Sequence, residues 1–118
     1  MNKHKQVQKG WGSEEWIVNN DFYCGKILRI NQGYSGSLHF HQQKHETFYV
    51  DSGTLQLEIA DPATGALLTQ ILNAGESYVL PPCTVHRFTA LTPVKLIEFS
   101  TTHRDEDTFR VAKGASQV

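Results

Sequence analysis

The chain has 118 residues, a formal net charge of -1 at pH 7 and 39% hydrophobic residues, which suits one globular domain rather than two. The near-neutral charge argues against a nucleic-acid partner, because binding to phosphate backbones needs a concentration of Lys and Arg. No apolar run has the length of a membrane span, and the polar opening MNKHKQVQKG does not resemble a signal peptide, so we expect a cytoplasmic protein without membrane contact.

The first third of the chain predicts a polar tail followed by two strands. Residues 1–8 are unpatterned, which predicts a mobile tail, or a strand that orders only on a partner, ahead of a domain over residues 9–118. The segments EEWIVNND and FYCGKILRI are typical of two short strands that pair. Lys26 shares strand parity with Leu28 and Ile30, which favours Lys26 as a cation that points into the protein.

The remainder of the chain predicts further short strands separated by turns. Strands are predicted at TFYV, TLQLEIA, ALLTQIL, ESYVL, HRFTA and VKLIEFS, and helical periodicity is almost absent. Turn signals at intervals of roughly eight to twelve residues indicate an all-β sandwich or jelly roll. The expected core includes the following residues: Leu28, Ile30, Phe48, Leu55, Leu57, Ile59 and Phe99.

The C-terminal segment and the cysteines give two further predictions. Phe109 and Val111 alternate with polar neighbours, which predicts an added edge strand. Because an exposed edge can pair with a second chain, we expect a homodimer. Cys24 and Cys83 are too few for a disulfide framework and are expected to be free thiols.

The stretch from Gly33 to Gly53 carries metal-ligand residue types at strand spacing. His39 and His41 are separated by one residue and therefore share one face of a strand. A turn through residues 42–44 would return the chain, so that Glu46 faces the two imidazoles from the neighbouring strand. His45 is one residue away from Glu46, faces the opposite side of an extended chain, and is expected outside the site.

A distant histidine, His86, follows a proline-containing loop and is expected to complete the site. Imidazole and carboxylate ligands suit a divalent transition metal, and a site that leaves coordination positions open has room for water or substrate. Zinc, manganese, iron and nickel all accept these ligands, so the residues predict one divalent ion without choosing among the four.

These two stretches resemble the paired motifs of the cupin superfamily, G-x5-H-x-H-x4-E-x6-G and G-x5-P-x-G-x2-H-x3-N. The matching positions are Gly33, His39, His41, Glu46 and Gly53 in the first motif, and Gly75, Pro81 and His86 in the second. Cys83 and Ala90 stand where the family has glycine and asparagine. The resemblance implies a cupin-type double-stranded β-helix, a jelly-roll barrel, with the metal ligands His39, His41, Glu46 and His86.

Other segments are similar to the phosphomannose-isomerase-like cupins. KGWG resembles their K/R-P-W-G, SLHFHQQKHE their S-L-Q-x-H-x2-R/K-x-E, and LIEFSTTHRDEDTFR their V-I-E-V-Q followed by E-D-D-I-x-R. The last match aligns Glu98, Glu106, Asp107 and Arg110. The Y-G-R that follows in that family, whose arginine serves the active site, has no counterpart in AKGASQV, which weakens the case for a phosphorylated hexose.

This second resemblance implies a small-molecule substrate, a sugar or another molecule whose oxygens chelate the metal, with isomerase-type chemistry. Glu98 is the candidate carboxylate that moves a proton, with Lys26 as a second catalytic candidate, while Tyr34 and Lys44 are candidates for substrate binding. Two alternatives use the same ligands. One is an Fe(II)-dependent cupin dioxygenase, and the other is a small-molecule-binding module in which the metal is bound without turnover.

Overall fold

A computed structural model describes residues 3–114 of the chain, and nearly all of its regular structure is β-strand. The elements, in chain order, are β1 (Lys5–Lys9), β2 (Gly12–Asn19), β3 (Cys24–Ile30), β4 (Leu38–His41), β5 (Glu46–Ser52), β6 (Thr54–Ala60), β7 (Leu67–Asn73), β8 (Ser77–Leu80), β9 (His86–Ala90), β10 (Val94–Ser100), a short 3-10 helix (Asp105–Asp107) and β11 (Thr108–Ala112). Among these residues, no helix has the length and apolarity that a membrane crossing requires.

The strands form two antiparallel sheets. The six-stranded sheet has the order β1-β2-β3-β10-β5-β8, and the five-stranded sheet has the order β11-β4-β9-β6-β7. Strands that are distant in the chain, such as β3 and β10, are neighbours, as expected when consecutive strands pass between the sheets of a sandwich. The architecture confirms the predicted all-β jelly roll.

Three neighbouring strands of the larger sheet change from apolar to charged along their inward face. Leu28 on β3, Leu96 on β10 and Val50 on β5 lie in register and are 3% exposed or less. Toward the other end of the same strands, the inward residues are Lys26, Glu98 and Glu46, which are also buried. One end of the barrel is therefore an aliphatic core, and the other end is lined by buried charges.

Strand parity on β10 corrects one core prediction. Phe99 was expected in the core, but its side chain is 56% exposed. Leu96 and Glu98 share the inward parity on this strand, because side chains alternate between the two faces of a sheet. Phe99 therefore faces solvent, and the adjacent Glu98 occupies the interior.

Both ends of the described chain add edge strands. Lys5–Lys9 pair with β2, whereas the sequence predicts, over residues 1–8, a mobile tail or a strand that orders only on a partner; residues 1 and 2 lie outside the described residues. The Lys5 ammonium lies 4.2 Å from the Trp16 ring centroid, which helps to hold this strand in place. At the other end, β11 pairs with β4 and confirms the predicted edge strand, while the homodimer and the domain boundary at residue 9 stay predictions.

Two backbone positions show why the motif residues stand where they do. Gly53 has a φ of +89°, and a Cβ atom there would lie 2.1 Å from the carbonyl oxygen of Pro93, so only glycine fits this turn. Cys83 adopts a φ of +66°, in the left-handed region that favours glycine, which is the residue of the family motif at this position. Cys83 is exposed and Cys24 is buried, and both are free thiols as predicted.

Candidate metal centre

Three imidazole rings converge at the charged end of the barrel. His39 and His41 lie on β4, and His86 lies on β9, where it pairs directly with His39. One potential ligand atom from each ring lies within 4.8 Å of those of the other two. His41 and His86 are buried, and His39 is half-buried. The strand spacing and the pairing of β4 with β9 together bring the three predicted histidines to one point.

Backbone carbonyl oxygens orient all three rings. Each Nδ1 lies within hydrogen-bonding distance of a carbonyl oxygen, which can only accept, so Nδ1 carries the hydrogen and donates it. The acceptors are Ser37 for His39 at 2.9 Å, Asp107 for His41 at 3.1 Å and Thr84 for His86 at 2.8 Å. This tautomer leaves the lone pair of each Nε2 free to bind a metal ion.

The environment favours the neutral form of His39 and His41. Burial lowers the pKa of His39 to about 3, and the neighbouring His86 acts in the same direction. Burial also lowers the pKa of His41, although the Glu46 carboxylate opposes this shift. Neutral imidazole is the form that binds metal, so the site does not need to lose protons from these two rings near pH 7.

Glu46 borders the histidine cluster, and one of its oxygens and one nitrogen of His86 are buried without a hydrogen bond. Its Oε1 is 3.1 Å from Nε2 of His86, and its Oε2 is 3.9 Å from Nε2 of His41. The closer contact lacks hydrogen-bond geometry, and among the described residues neither Oε1 nor Nε2 of His86 has a hydrogen-bond partner. Two facing orphaned acceptors are costly inside a protein, and a cation bound to both would satisfy them.

The Glu46 carboxyl is held in its ionised form. Burial by itself would raise its pKa, but the positive charge of the Lys44 ammonium, 3.3 Å away, helps to lower the pKa below its usual range. Three imidazoles beside one carboxylate fit a divalent transition ion.

The ammonium group of Lys44, a predicted substrate-binding residue, lies close to three protein acceptors. They are Oε2 of Glu46 at 3.3 Å, Oε2 of Glu98 at hydrogen-bonding distance and Nδ1 of His103 at 3.1 Å. Burial would lower the pKa of Lys44, but Glu98 and Glu46 raise it above its usual range. The side chain is 3% exposed and lines the cavity, so Lys44 bridges two carboxylates, and its role in substrate binding stays a prediction.

Lys26 and Glu98 face each other across neighbouring strands. They are register partners on β3 and β10, both are buried, and both line the same cavity. Lys44 and the Ser100 hydroxyl both donate to Oε2 of Glu98, and no donor from the described residues reaches Oε1. The Lys26 ammonium lies 3.6 Å from Oε1 of Glu14 and 4.0 Å from the centroid of the Trp16 ring.

His103 is a cavity residue that the sequence did not predict. It accepts from Lys44 at Nδ1 and donates from Nε2 to the Asp105 carboxylate at 2.9 Å. Its ring packs edge-on against Trp16, with 5.2 Å between centroids. Burial lowers its pKa, with further contributions from Lys26 and Lys44. His103 lies outside any strand, so no sequence periodicity could have indicated which way it points.

Two other sequence predictions have different outcomes. Tyr34 does not line the cavity: its side chain is 47% exposed, and its carbonyl oxygen accepts from the backbone N–H of Ala90. The structure therefore does not bring Tyr34 to the site. His45 is exposed and lies outside the histidine cluster, as expected.

His39, His41, Lys26 and Glu98 line a cavity of about 380 Å³. Its volume lies within the range of small-molecule sites. Trp11, Phe48 and Phe88 provide apolar wall, and the buried side chains of Glu46 and Glu98 also line the cavity. A site of this composition combines surface for a compact ligand with polar groups that fix its orientation.

The family model described as a cupin domain matches residues 26–100, which include all four predicted metal ligands. The chain belongs to the cupin family. A comparison with curated proteins finds no match to this cupin.

Solved structures with the same fold include three cupin neighbours at low sequence identity. The capsular polysaccharide assembling protein CapF from Staphylococcus aureus is 17% identical with a TM-score of 0.83, covering 95% of this chain and 32% of CapF. KdgF from Halomonas sp. is 21% identical with a TM-score of 0.72, and the match covers 89% of this chain and 90% of KdgF. Oxalate decarboxylase from Bacillus subtilis, which has Mn(II) centres, is 18% identical with a TM-score of 0.79, and the match covers 92% of this chain and 30% of oxalate decarboxylase.

This cupin therefore spans about a third of CapF and of oxalate decarboxylase, and most of the length of KdgF. At these identities, the likeness establishes the shared fold alone.

Proposed function

We propose that this cupin binds one divalent transition-metal ion and isomerises a small polyhydroxylated molecule, a sugar or sugar-like compound. The ligands would be His39, His41, His86 and Glu46. The observation that carries the proposal is the convergence of three imidazoles, with Nε2 free in each, beside a buried carboxylate that has an unpaired oxygen. His39, His41 and Glu46 line a cavity of about 380 Å³, a volume that suits a monosaccharide better than a polymer.

The side chains beside the cluster fit proton transfer. When bound, the metal would supply Lewis-acid polarisation of a carbonyl or hydroxyl oxygen. Lys44 and Ser100 hold Oε2 of Glu98, so the carboxylate keeps a fixed orientation and Oε1 is left to accept and return a proton. Lys26, directly opposite on β3, can donate a hydrogen bond to a substrate oxygen, because its contact with Glu14 is long at 3.6 Å.

The structural neighbours support the choice of metal and substrate class by analogy. One of them is a capsular polysaccharide assembling protein, and a structure of the same protein contains the inhibitor 3-isopropenyl-tropolone. A tropolone has a hydroxyl and a carbonyl oxygen on neighbouring carbon atoms, as an open-chain reducing sugar does. Oxalate decarboxylase has Mn(II) centres, which makes manganese one of the ions to test first.

The metal part of the proposal is tested by elemental analysis of protein purified without added metal. We expect about one divalent ion per chain, and we expect His41→Ala to lose it while its circular dichroism keeps the β-sheet signature, because apolar packing holds the opposite end of the barrel. His45→Ala is the matched control, since His45 is exposed and outside the cluster. A His41→Ala protein with a full complement of metal would contradict the ligand assignment.

The substrate part is tested by thermal shift with a panel of aldose and ketose sugars, with and without metal. Sugars should raise the melting temperature only of the metal-loaded protein, and solvent deuterium should enter the sugar carbon next to the carbonyl. We expect Glu98→Gln to keep the metal and the thermal shift but to lose deuterium exchange. Iron content with oxygen consumption and no sugar effect would instead indicate a dioxygenase, and a shift without product would indicate a binding module.

A further inference from the structure

Two basic side chains line the cavity from the edge strands of the two sheets. Lys9 ends β1, the edge of the six-stranded sheet, and Arg110 lies on β11, the edge of the five-stranded sheet. Both residues border the same cavity as the histidine cluster. Lys9 is half-buried. The cavity therefore receives one basic side chain from an edge strand of each sheet.

The acidic groups of this cavity are already engaged with other partners. Its four carboxylates face the following groups: Glu46 and Glu98 face Lys44, Glu14 faces Lys26, and Asp105 faces His103. Within residues 3–114, no carboxylate lies within ion-pairing distance of Lys9 or Arg110. The nearby Lys5 ammonium is placed over the Trp16 ring. Lys9 and Arg110 thus line the cavity without a carboxylate partner among the described residues.

Such an arrangement selects for negative charge. Uncompensated cations beside apolar wall, here Trp11 and Phe88, raise the local potential because the low-dielectric surface focuses the field. The planar guanidinium of Arg110 can donate two parallel hydrogen bonds to a carboxylate or phosphate. The Lys9 ammonium can add a third from the opposite strand.

We propose that the substrate carries an anionic group, a carboxylate or a phosphate monoester, which Lys9 and Arg110 bind while the hydroxyl oxygens of the molecule face the histidine cluster. The inference rests on the proposed function for the hydroxylated part of the ligand, and on the two sheet edges for the charged part. Lys9 and Arg110 are then specificity-determining residues, which distinguish an acidic sugar derivative from its neutral parent.

The experiment compares three matched probes: glucose, glucuronate and glucose 6-phosphate. Each is titrated into metal-loaded, full-length protein by isothermal calorimetry at low and at moderate ionic strength. We expect at least one anionic probe to bind about tenfold more tightly than glucose, with this preference decreasing as salt increases. Whichever of glucuronate and glucose 6-phosphate binds with the higher affinity shows whether the site prefers a carboxylate or a phosphate.

The variants assign the effect to the two residues. Arg110→Gln and Lys9→Gln should each weaken the anionic probe by about tenfold, because a hydrogen bond between charged groups is lost, and should leave glucose unchanged. Arg110→Lys should retain part of the preference. The control is Lys95→Gln, because Lys95 lies outside the cavity in an exposed pair with Asp51 and its loss should not affect any probe.

The outcomes separate this inference from the proposed function. The inference is overturned if glucose binds as tightly as both anions, or if neither variant weakens anion binding. Either result leaves the sugar proposal in place. If none of the three probes binds to metal-replete protein, both fail. Selective, salt-sensitive anion binding that depends on Arg110 and Lys9 supports the inference, whether or not the bound molecule is isomerised.

Discussion

Replacing Lys44 with methionine would remove the ammonium group that bridges Glu46 and Glu98 while keeping most of the apolar stem. Both carboxylates are 5% exposed or less, and Lys44 is 3% exposed, so solvent screens these contacts very little. Removing one partner of a buried ion pair costs about 3–5 kcal/mol, because an uncompensated charge is left behind. For a chain of this length, the average unfolding entropy converts that loss to a decrease of roughly 12–20 °C in melting temperature.

The assay is thermal unfolding followed by circular dichroism at pH 7 in chelator, where no metal can neutralise Glu46. The control is Lys95→Met, because the Lys95 ammonium lies 3.6 Å from Asp51 in a pair of side chains that are 40% and 44% exposed. An exposed pair of this kind contributes about 0–1 kcal/mol, so the control should lower the melting temperature by no more than about 4 °C.

A double variant tests the same reasoning independently. If Lys44 compensates Glu98, then Lys44→Met combined with Glu98→Gln should be less destabilised than the sum of the two single variants, by about 1 kcal/mol or more. The reasoning would be refuted by a Lys44→Met protein that melts no lower than Lys95→Met, or by strictly additive effects in the double variant.

Two further predictions concern the turns that hold the site. In urea unfolding, Gly53→Ala should lower the free energy of unfolding by more than about 2 kcal/mol, since the new Cβ would meet the carbonyl oxygen of Pro93 at 2.1 Å. The control is Gly65→Ala, which should cost only about 1 kcal/mol, because this residue has a φ of +74° but open space around it. Equal losses in the two variants would contradict the steric argument. Asp107→Asn should cost about 1–3 kcal/mol at pH 7, because the carboxylate accepts from the backbone N–H groups of residues 42–44. Burial would raise the pKa of Asp107, but these hydrogen bonds lower it overall. The stabilisation by this carboxylate is therefore present at neutral pH and is lost as pH falls below about 4. A difference in unfolding free energy between wild type and Asp107→Asn that stays constant from pH 7 to pH 3 would count against this.

The sequence by itself determined the features that depend on a single strand. Side chains alternate with a period of two, so the spacing of His39 and His41 places them on one face, and the parity of Lys26 with Leu28 places Lys26 inside. The structure shows these placements. The same rule also contained the answer for Phe99: a Glu98 that faces the cavity requires Phe99 to face solvent, and the two predictions could not both hold.

Only the tertiary structure decided which strands meet and which loop residues lie between them. The pairing of His39 with His86 depends on the register of β4 against β9, and the fold of Lys5–Lys9 into a strand depends on the free edge of β2. His103 lies outside any strand and reaches the cavity through contacts with Lys44. Such placements are set by long-range packing, which has no period along the chain. This is why the shared face of His39 and His41 could be predicted from their spacing, whereas the partners of Lys44 could not.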